Sequence, residues 1–271
     1  MRVPTAACII LLAVYMAASP ASGAFFGRPR LRSSTSSNLT LRKRLHVNTL
    51  IAEPGTGELD WGSWYSVSTT NFSMPSALRY TPQGRSVPWG RTEYSIAFDS
   101  FTNAEIGGRR LTQFSESLIM TATSVLFDGE RLDVAIAPQL TAFLRDESGL
   151  RAGAIAIARY DVGRNSVGVT AGWSGATHNS PSNPSGTFDA GFGLGRRLAG
   201  SGILGRFTPH FNGIWEKSTG QARIFSAFEG VEYQTTDRLA FDLSGQHFAI
   251  RSASPDHQLV FGLTFSFGKS R

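Results

Sequence analysis

The chain of 271 residues has one cysteine, Cys8, so no internal disulfide can form and a disulfide-stapled scaffold is excluded. After residue 24 it lacks an apolar run long enough for a membrane-crossing helix, which needs about 20 residues. The five histidines, His46, His178, His210, His247 and His257, are spread without a compact metal-ligand spacing. No Gly-x-Ser-x-Gly or Gly-x-Gly-x-x-Gly stretch sits in the alternating strand and helix pattern that hydrolase or dinucleotide-binding chemistry needs. No cofactor and no metal are therefore expected. Acidic residues are missing altogether from residues 24–50. That stretch holds Arg28, Arg30, Arg32, Arg42, Lys43 and Arg44, whereas residues 51–271 are nearly balanced, with 19 basic and 20 acidic side chains. The overall net charge of +6 thus belongs to a tail and not to the body of the protein.

What is present begins with an export signal. Arg2, the short apolar stretch AACIILLAVYMAA (6–18) and the small residues SPASGA (19–24) follow the order of a secretory signal peptide, read here over residues 1–23. Residues 24–60 read as a basic, Ser/Thr-rich segment without regular periodicity, and disorder is expected there. A cluster of this kind attracts phosphates, but an exported chain with no recognition module is not expected to bind nucleic acid.

From residue 61 to 271 the pattern is alternation with a period of two, the sign of strands with one apolar face. Leu132, Val134, Ile136, Leu140, Ala142 and Leu144 share one face, and so do Val167, Val169, Ala171 and Trp173. Phe188, Ala190, Phe192 and Leu194 repeat the pattern, as do Leu259, Phe261, Leu263, Phe265 and Phe267. Turn signals such as DGE (128–130), DVGRN (161–165) and QTTDR (234–238) separate these runs, which implies antiparallel hairpins. Candidate strands are 92–99, 114–127, 131–144, 150–160, 166–176, 187–196, 202–215, 221–233, 238–247 and 257–267. Many reach the roughly 9–11 residues of a tilted membrane-spanning strand. In lipid an open sheet edge leaves backbone groups unpaired, so such a sheet must close. The expected fold is an all-β, antiparallel, up-and-down transmembrane barrel of about 10–12 strands. Two phases are ambiguous without a bulge: 150–160 offers alanines on one face and Ile155 with Ile157 on the other, and 221–233 puts Phe225 and Phe228 on opposite faces. Residues 61–80 can supply one further hairpin and so give twelve strands; Pro75 argues against an uninterrupted strand there, although it can occupy a turn. Counted back from the C-terminus, the outer connections are 100–113, 145–149, 177–186, 216–221 and 248–256, and the inner ones, including 128–130, are expected to be short.

The inward face then carries the chemistry. Its expected members are Glu93, Asp99, Arg131, Asp133, Arg151, Arg159, Asp189, Asp242, Gln246 and Gln258, with glycine, serine and threonine between them. Mixed charge on this face suits a hydrated passage or a salt-bridged filling, and a barrel of this strand number encloses a narrow lumen.

The export signal, the Gly-rich alternating strands and the closing FGLTFSFGKSR (261–271) resemble outer-membrane barrel proteins of Gram-negative bacteria. In those proteins a final strand ending in an aromatic residue assists assembly; Phe267 is the match here, with Gly268, Lys269, Ser270 and Arg271 following it. More narrowly, residues 60–271 are similar to a transporter-like family associated with phenol-degradation operons. The resemblance implies an outer-membrane location and, as partners, outer-membrane lipid, the barrel assembly machinery and a small-molecule solute. Passive passage of small molecules without a chemical step is the expected function. The alternatives are a noncatalytic structural or binding envelope barrel and an outer-membrane lipid hydrolase. The hydrolase reading rests on His178-Asn179-Ser180, which resembles the His-x-Ser dyad of lipid A deacylases but lies in the Pro/Gly-rich loop THNSPSNPSG (177–186).

Overall fold

A strand that is apolar on one side and polar on the other must place one side against each of two environments, and a ring of such strands does this without leaving an edge. The computed structural model describes residues 51–66, 72–83, 90–106, 109–113, 117–144, 149–178, 184–199, 202–221, 223–250 and 256–268. The signal peptide read at 1–23 and the basic residues of 24–50 lie outside them. All described residues fall in one compact unit, residues 32–271.

Thirteen strand segments follow one another: β1 (Thr56–Ser66), β2 (Phe72–Thr81), β3 (Thr92–Ile106), β4 (Arg109–Gln113), β5 (Ser117–Asp128), β6 (Leu132–Phe143), β7 (Leu150–Val162), β8 (Asn165–Ala176), β9 (Gly186–Arg196), β10 (Phe207–Ser218), β11 (Ile224–Thr236), β12 (Leu239–Ile250) and β13 (Asp256–Gly268). Each segment from β5 to β13 pairs antiparallel with the next, β13 returns to β1, and the β2–β3 pairing closes the ring. Both β4 and β5 pair with β3, at Thr102–Ile106 and Thr92–Phe98 respectively. They are therefore two pieces of one return strand, and the barrel has 12 strand positions. Among the described residues the only helical element is a 3₁₀ turn at Leu204–Arg206, and no helix is long and apolar enough to cross a membrane, which says nothing about a barrel.

The outer face is apolar in the register that the alternation predicts. Leu132, Ile136, Val167, Val169, Trp173, Phe188, Phe192, Leu194, Leu259, Phe265 and Phe267 are all exposed. Aromatic pairs knit neighbouring strands on this face, as in Phe188–Trp215 and Trp61–Phe261, whose ring centroids are 5.7 and 6.4 Å apart in edge-on contact. The buried face is mixed. Glu93, Ser95, Arg159, Asn212, Ser244 and Gln246 lie there, but so do Ala135, Ala137, Ile155 and Ile157 in one cluster and Ala77, Ala97 and Ile119 in another.

Several local readings change. The first hairpin exists, and β1 begins at Thr56, ahead of the boundary at 61. Pro75 sits inside β2 and not in a turn: the β2–β3 register shifts between Met74 and Pro75, and the β1–β2 ladder skips the same level, passing from Trp61↔Ser76 to Trp64↔Ser73. A residue without an N–H is tolerated where the ladder is already interrupted. No bulge is needed to settle the two ambiguous phases. Strand β7 turns its alanines outward and Ile155 and Ile157 inward, and β11 keeps an unbroken register across Phe225 and Phe228, so Phe228 is simply an interior aromatic, 2% exposed. Short reversals occur at 129–131, 163–164 and 237–238, the second helped by Gly163 at φ 61°. The two other connections at the end carrying Thr56 and Gly268, residues 82–91 and 197–206, are longer than expected. In the second, β10 starts only at Phe207, because the 3₁₀ turn takes Leu204–Arg206 and Arg206 donates to the Thr235 carbonyl at 2.5 Å.

Candidate functional site

Strand parity gathers the ionisable groups on the buried face, and the register decides which of them meet. Four groups form. The first links β1, β2, β3 and β13. Arg79, wholly buried on β2, is ion-paired to Asp60 and lies 3.4 Å from Glu58, both on β1. Thr264 of β13 donates to Asp60 at 2.6 Å. Beside them Glu93 of β3 accepts the backbone N–H of Ala52 at 2.8 Å. That contact arises because the chain reverses just before β1: the Thr56 N–H and hydroxyl both donate to the Glu53 carbonyl, and Ile51 and Ala52 pack in the buried interior.

The second group sits where β6 and β7 meet. Arg159, 2% exposed, contacts Asp161 at 2.5 Å and Asp133 at 3.6 Å. Toward the other end a third group forms around Arg151 of β7, which donates to Ser174 and Thr187 at 2.8 and 2.9 Å and to the Pro184 carbonyl at 2.6 Å. Thr187 continues to Ser218 at 2.9 Å, and Ser218 donates to Glu216 at 3.3 Å. Asp189 is the cross-strand partner of Glu216, and its carboxylate occupies the space over Gly172. The fourth group is His210, Asn212, Asp242 and Ser244. His210 donates from Nε2 to Asp242 at 2.7 Å, Ser244 donates to the other Asp242 oxygen at 2.6 Å, and the Asn212 amide donates to His210 Nδ1 at 3.3 Å. Those contacts tie His210, Asn212, Asp242 and Ser244 into one network across β10 and β12.

Of the residues expected on the inward face, Glu93, Arg159 and Gln246 are buried, and Asp133, Arg151, Asp189, Asp242 and Gln258 are partly buried. Gln246 and Gln258 are direct cross-strand partners. Asp99 is in β3, but its side chain lies outside the described residues. Arg131 departs from expectation: the hairpin after β5 takes it into the turn, where it is exposed, and only its carbonyl takes part in pairing, accepting the Asp161 N–H at 2.7 Å. Glu58 and Asp60 are absent from the expected set because they fall in the stretch 24–60 read as a flexible segment, Arg79 because Pro75 counts against an uninterrupted strand over 61–80, and Glu216 because it reads as part of a turn. His178 is exposed in its loop, while Asn179 and Ser180 lie outside the described residues.

One wall of the interior is nearly bare. The inward positions of β8 and β9 include Gly168, Gly172, Gly191, Gly193 and Gly195. Following cross-strand partners, Arg159 is next to Gly168, Gly168 to Gly193, Gly193 to Asn212, Asn212 to Phe228 and Phe228 to Gln246. A cationic group and an amide therefore flank two positions with no side chain.

No protein-family model and no curated protein matches the chain. Solved structures do. An outer-membrane channel from Pseudomonas putida F1 is similar over 80% of this chain and 97% of its own, with 11% identity and a TM-score of 0.57. The NanC porin is similar over 76% of this chain and 98% of its own, at 9% identity and TM-score 0.56. The KdgM porin, solved in complex with disordered oligogalacturonate, covers 78% of this chain and 99% of its own, at 10% identity and TM-score 0.52. The fold is that of an outer-membrane barrel. At these identities the likeness concerns fold and carries no ligand from one protein to another.

Proposed function

We propose that the protein is an outer-membrane channel that lets small polar molecules pass without a chemical step. The observation that carries this reading is the interior: a closed ring of 12 strand positions, apolar outside, whose inner wall combines ionisable side chains with a strip of glycine. Among the described residues, inward carboxylates at Glu58, Asp60, Glu93, Asp133, Asp161, Asp189, Glu216, Glu232 and Asp242 outnumber the guanidiniums of Arg79, Arg151 and Arg159. Such a lining favours cations and neutral polar solutes over anions. The porin-like fold and the resemblance to the transporter-like family of phenol-degradation operons support the same reading. Outer-membrane lipid would cover the exposed leucines, valines and aromatics, and the barrel assembly machinery would insert the chain.

The test is conductance. Purified mature protein in planar bilayers is expected to give discrete steps, with a reversal potential under a salt gradient on the cation-selective side. Asp189→Asn with Glu216→Gln is expected to move that potential toward zero. Bilayers that stay silent while the protein is folded and inserted would leave the noncatalytic envelope barrel as the better reading. Hydrolysis of lipid A by the intact protein, lost on Ser180→Ala, would instead favour the hydrolase.

A further inference from the structure

Among the described residues, three ionisable side chains meet on the outer wall. Glu229 on β11, His247 on β12 and His257 on β13 all point outward by strand parity, on the same face as the exposed Phe225, Leu243 and Leu259. His247 and His257 are direct cross-strand partners, their rings are edge-on with centroids 4.9 Å apart, and their Nδ1 atoms are 2.7 Å apart. On its other side His247 Nε2 is 3.1 Å from Glu229 Oε1, with both side chains about one third exposed. Glu229 pairs across the sheet with Gly245, and the absent side chain there leaves His247 Nε2 and the Glu229 stem accessible from the same side. His247 and His257 lie near the ends of β12 and β13, where such groups cost little, so it is their grouping with Glu229 that points to a function.

The two Nδ1 atoms, 2.7 Å apart, share one hydrogen, and on its far side His247 Nε2 meets the Glu229 carboxyl, which orients that ring from behind. That is the arrangement of a metal-ligating histidine with its outer-shell carboxylate, with a proton where a cation would sit. Among the described residues no three histidine, cysteine or acidic side chains converge on one point, so the site would supply two protein ligands and leave the remaining positions to water or an anionic headgroup. We propose that His247 and His257 bind one divalent transition-metal ion through their Nδ1 atoms, with Glu229 as the positioning residue. Binding through both Nδ1 atoms needs each ring to carry its hydrogen on Nε2, and at Zn–N distances of about 2.0–2.1 Å the two nitrogens need to separate to roughly 3.3 Å. The site lies on the outer wall and does not depend on solute passage through the interior.

The experiment is titration of the folded, detergent-solubilised protein with Zn2+ by calorimetry, each variant first checked for a heat-dependent shift in electrophoretic mobility. The wild type is expected to bind one ion per chain in a saturable phase. His247→Gln with His257→Gln should abolish that phase and leave any weak binding elsewhere unchanged. Glu229→Gln should weaken it by about tenfold, because the ring is no longer oriented. Substituted with Cu2+, the site should show two equivalent nitrogen couplings in electron paramagnetic resonance. Absence of binding by the wild type, binding unchanged in the double variant, or a one-nitrogen spectrum would each overturn the assignment.

Discussion

Arg79 shows how much a single interior residue can hold together. Its guanidinium is wholly buried and is shared by Asp60 and Glu58, so a single cation on β2 offsets part of the charge of two carboxylates on β1. Such a cluster contributes little net stability while intact, because taking the charges out of water offsets their attraction. Breaking it is different. Arg79→Ala leaves two carboxylates close together without their cation, and the expected cost is about 3–5 kcal/mol, the usual penalty for removing one partner of a buried pair. Denaturant unfolding in detergent measures it. Arg91, which pairs with Asp128 where both side chains are well exposed, is the control: Arg91→Ala is expected to change stability by less than about 1 kcal/mol.

At the scale of the element, the faces of the strands were legible because side-chain direction alternates strictly, so Leu132 through Leu144 and Leu259 through Phe267 announce their outward side without any knowledge of neighbours. What stayed hidden depends on partners in the ring. Pro75 reads as a strand breaker until its position is seen opposite an interrupted ladder, and Arg131 has the right parity but the hairpin claims it before the strand begins. Ile155, Ile157 and Phe228 look misplaced in sequence because a polar lumen was assumed throughout, whereas the interior is partly filled by apolar packing. The same dependence on partners explains Gly153 of β7. A side chain there would put its Cβ 2.5 Å from the Trp173 carbonyl oxygen and 2.6 Å from Ser174 Cβ on β8. Backbone cannot move away cheaply within a ladder that runs unbroken from Arg151↔Ala176 to Val162↔Asn165. Gly153→Ala is therefore expected to destabilise by about 1–3 kcal/mol, whereas Gly245→Ala, whose Cβ meets nothing closer than 3.7 Å, should be tolerated. Unfolding midpoints of the two variants, compared with each other, test the register of β7 on β8.

For the molecule as a whole, the decisive property is the inversion of the usual arrangement: the exposed surface is the apolar one, and the charges are inside. A soluble sandwich with the same alternation would bury Val169 and expose Thr170; here Val169 is 51% exposed and Thr170 lies inward, between Gly191 on one side and Ile157 on the other. The two arrangements respond in opposite ways to a charge. If Val169 faces the hydrocarbon of a bilayer from within a strand of 12 residues, Val169→Arg costs about 2–4 kcal/mol in a folded, lipid-embedded barrel, and the cost falls toward zero as the substitution is moved to the strand ends. Arginine at Tyr160, the last outward position but one of β7, should accordingly cost no more than about 1 kcal/mol. Measuring both variants by reversible unfolding in lipid vesicles gives a depth profile and not merely a stability. A steep difference between the two positions is what a membrane-spanning barrel requires. Equal, small costs at both would mean that this face meets water, and the passage proposed for the interior would then have no membrane to cross.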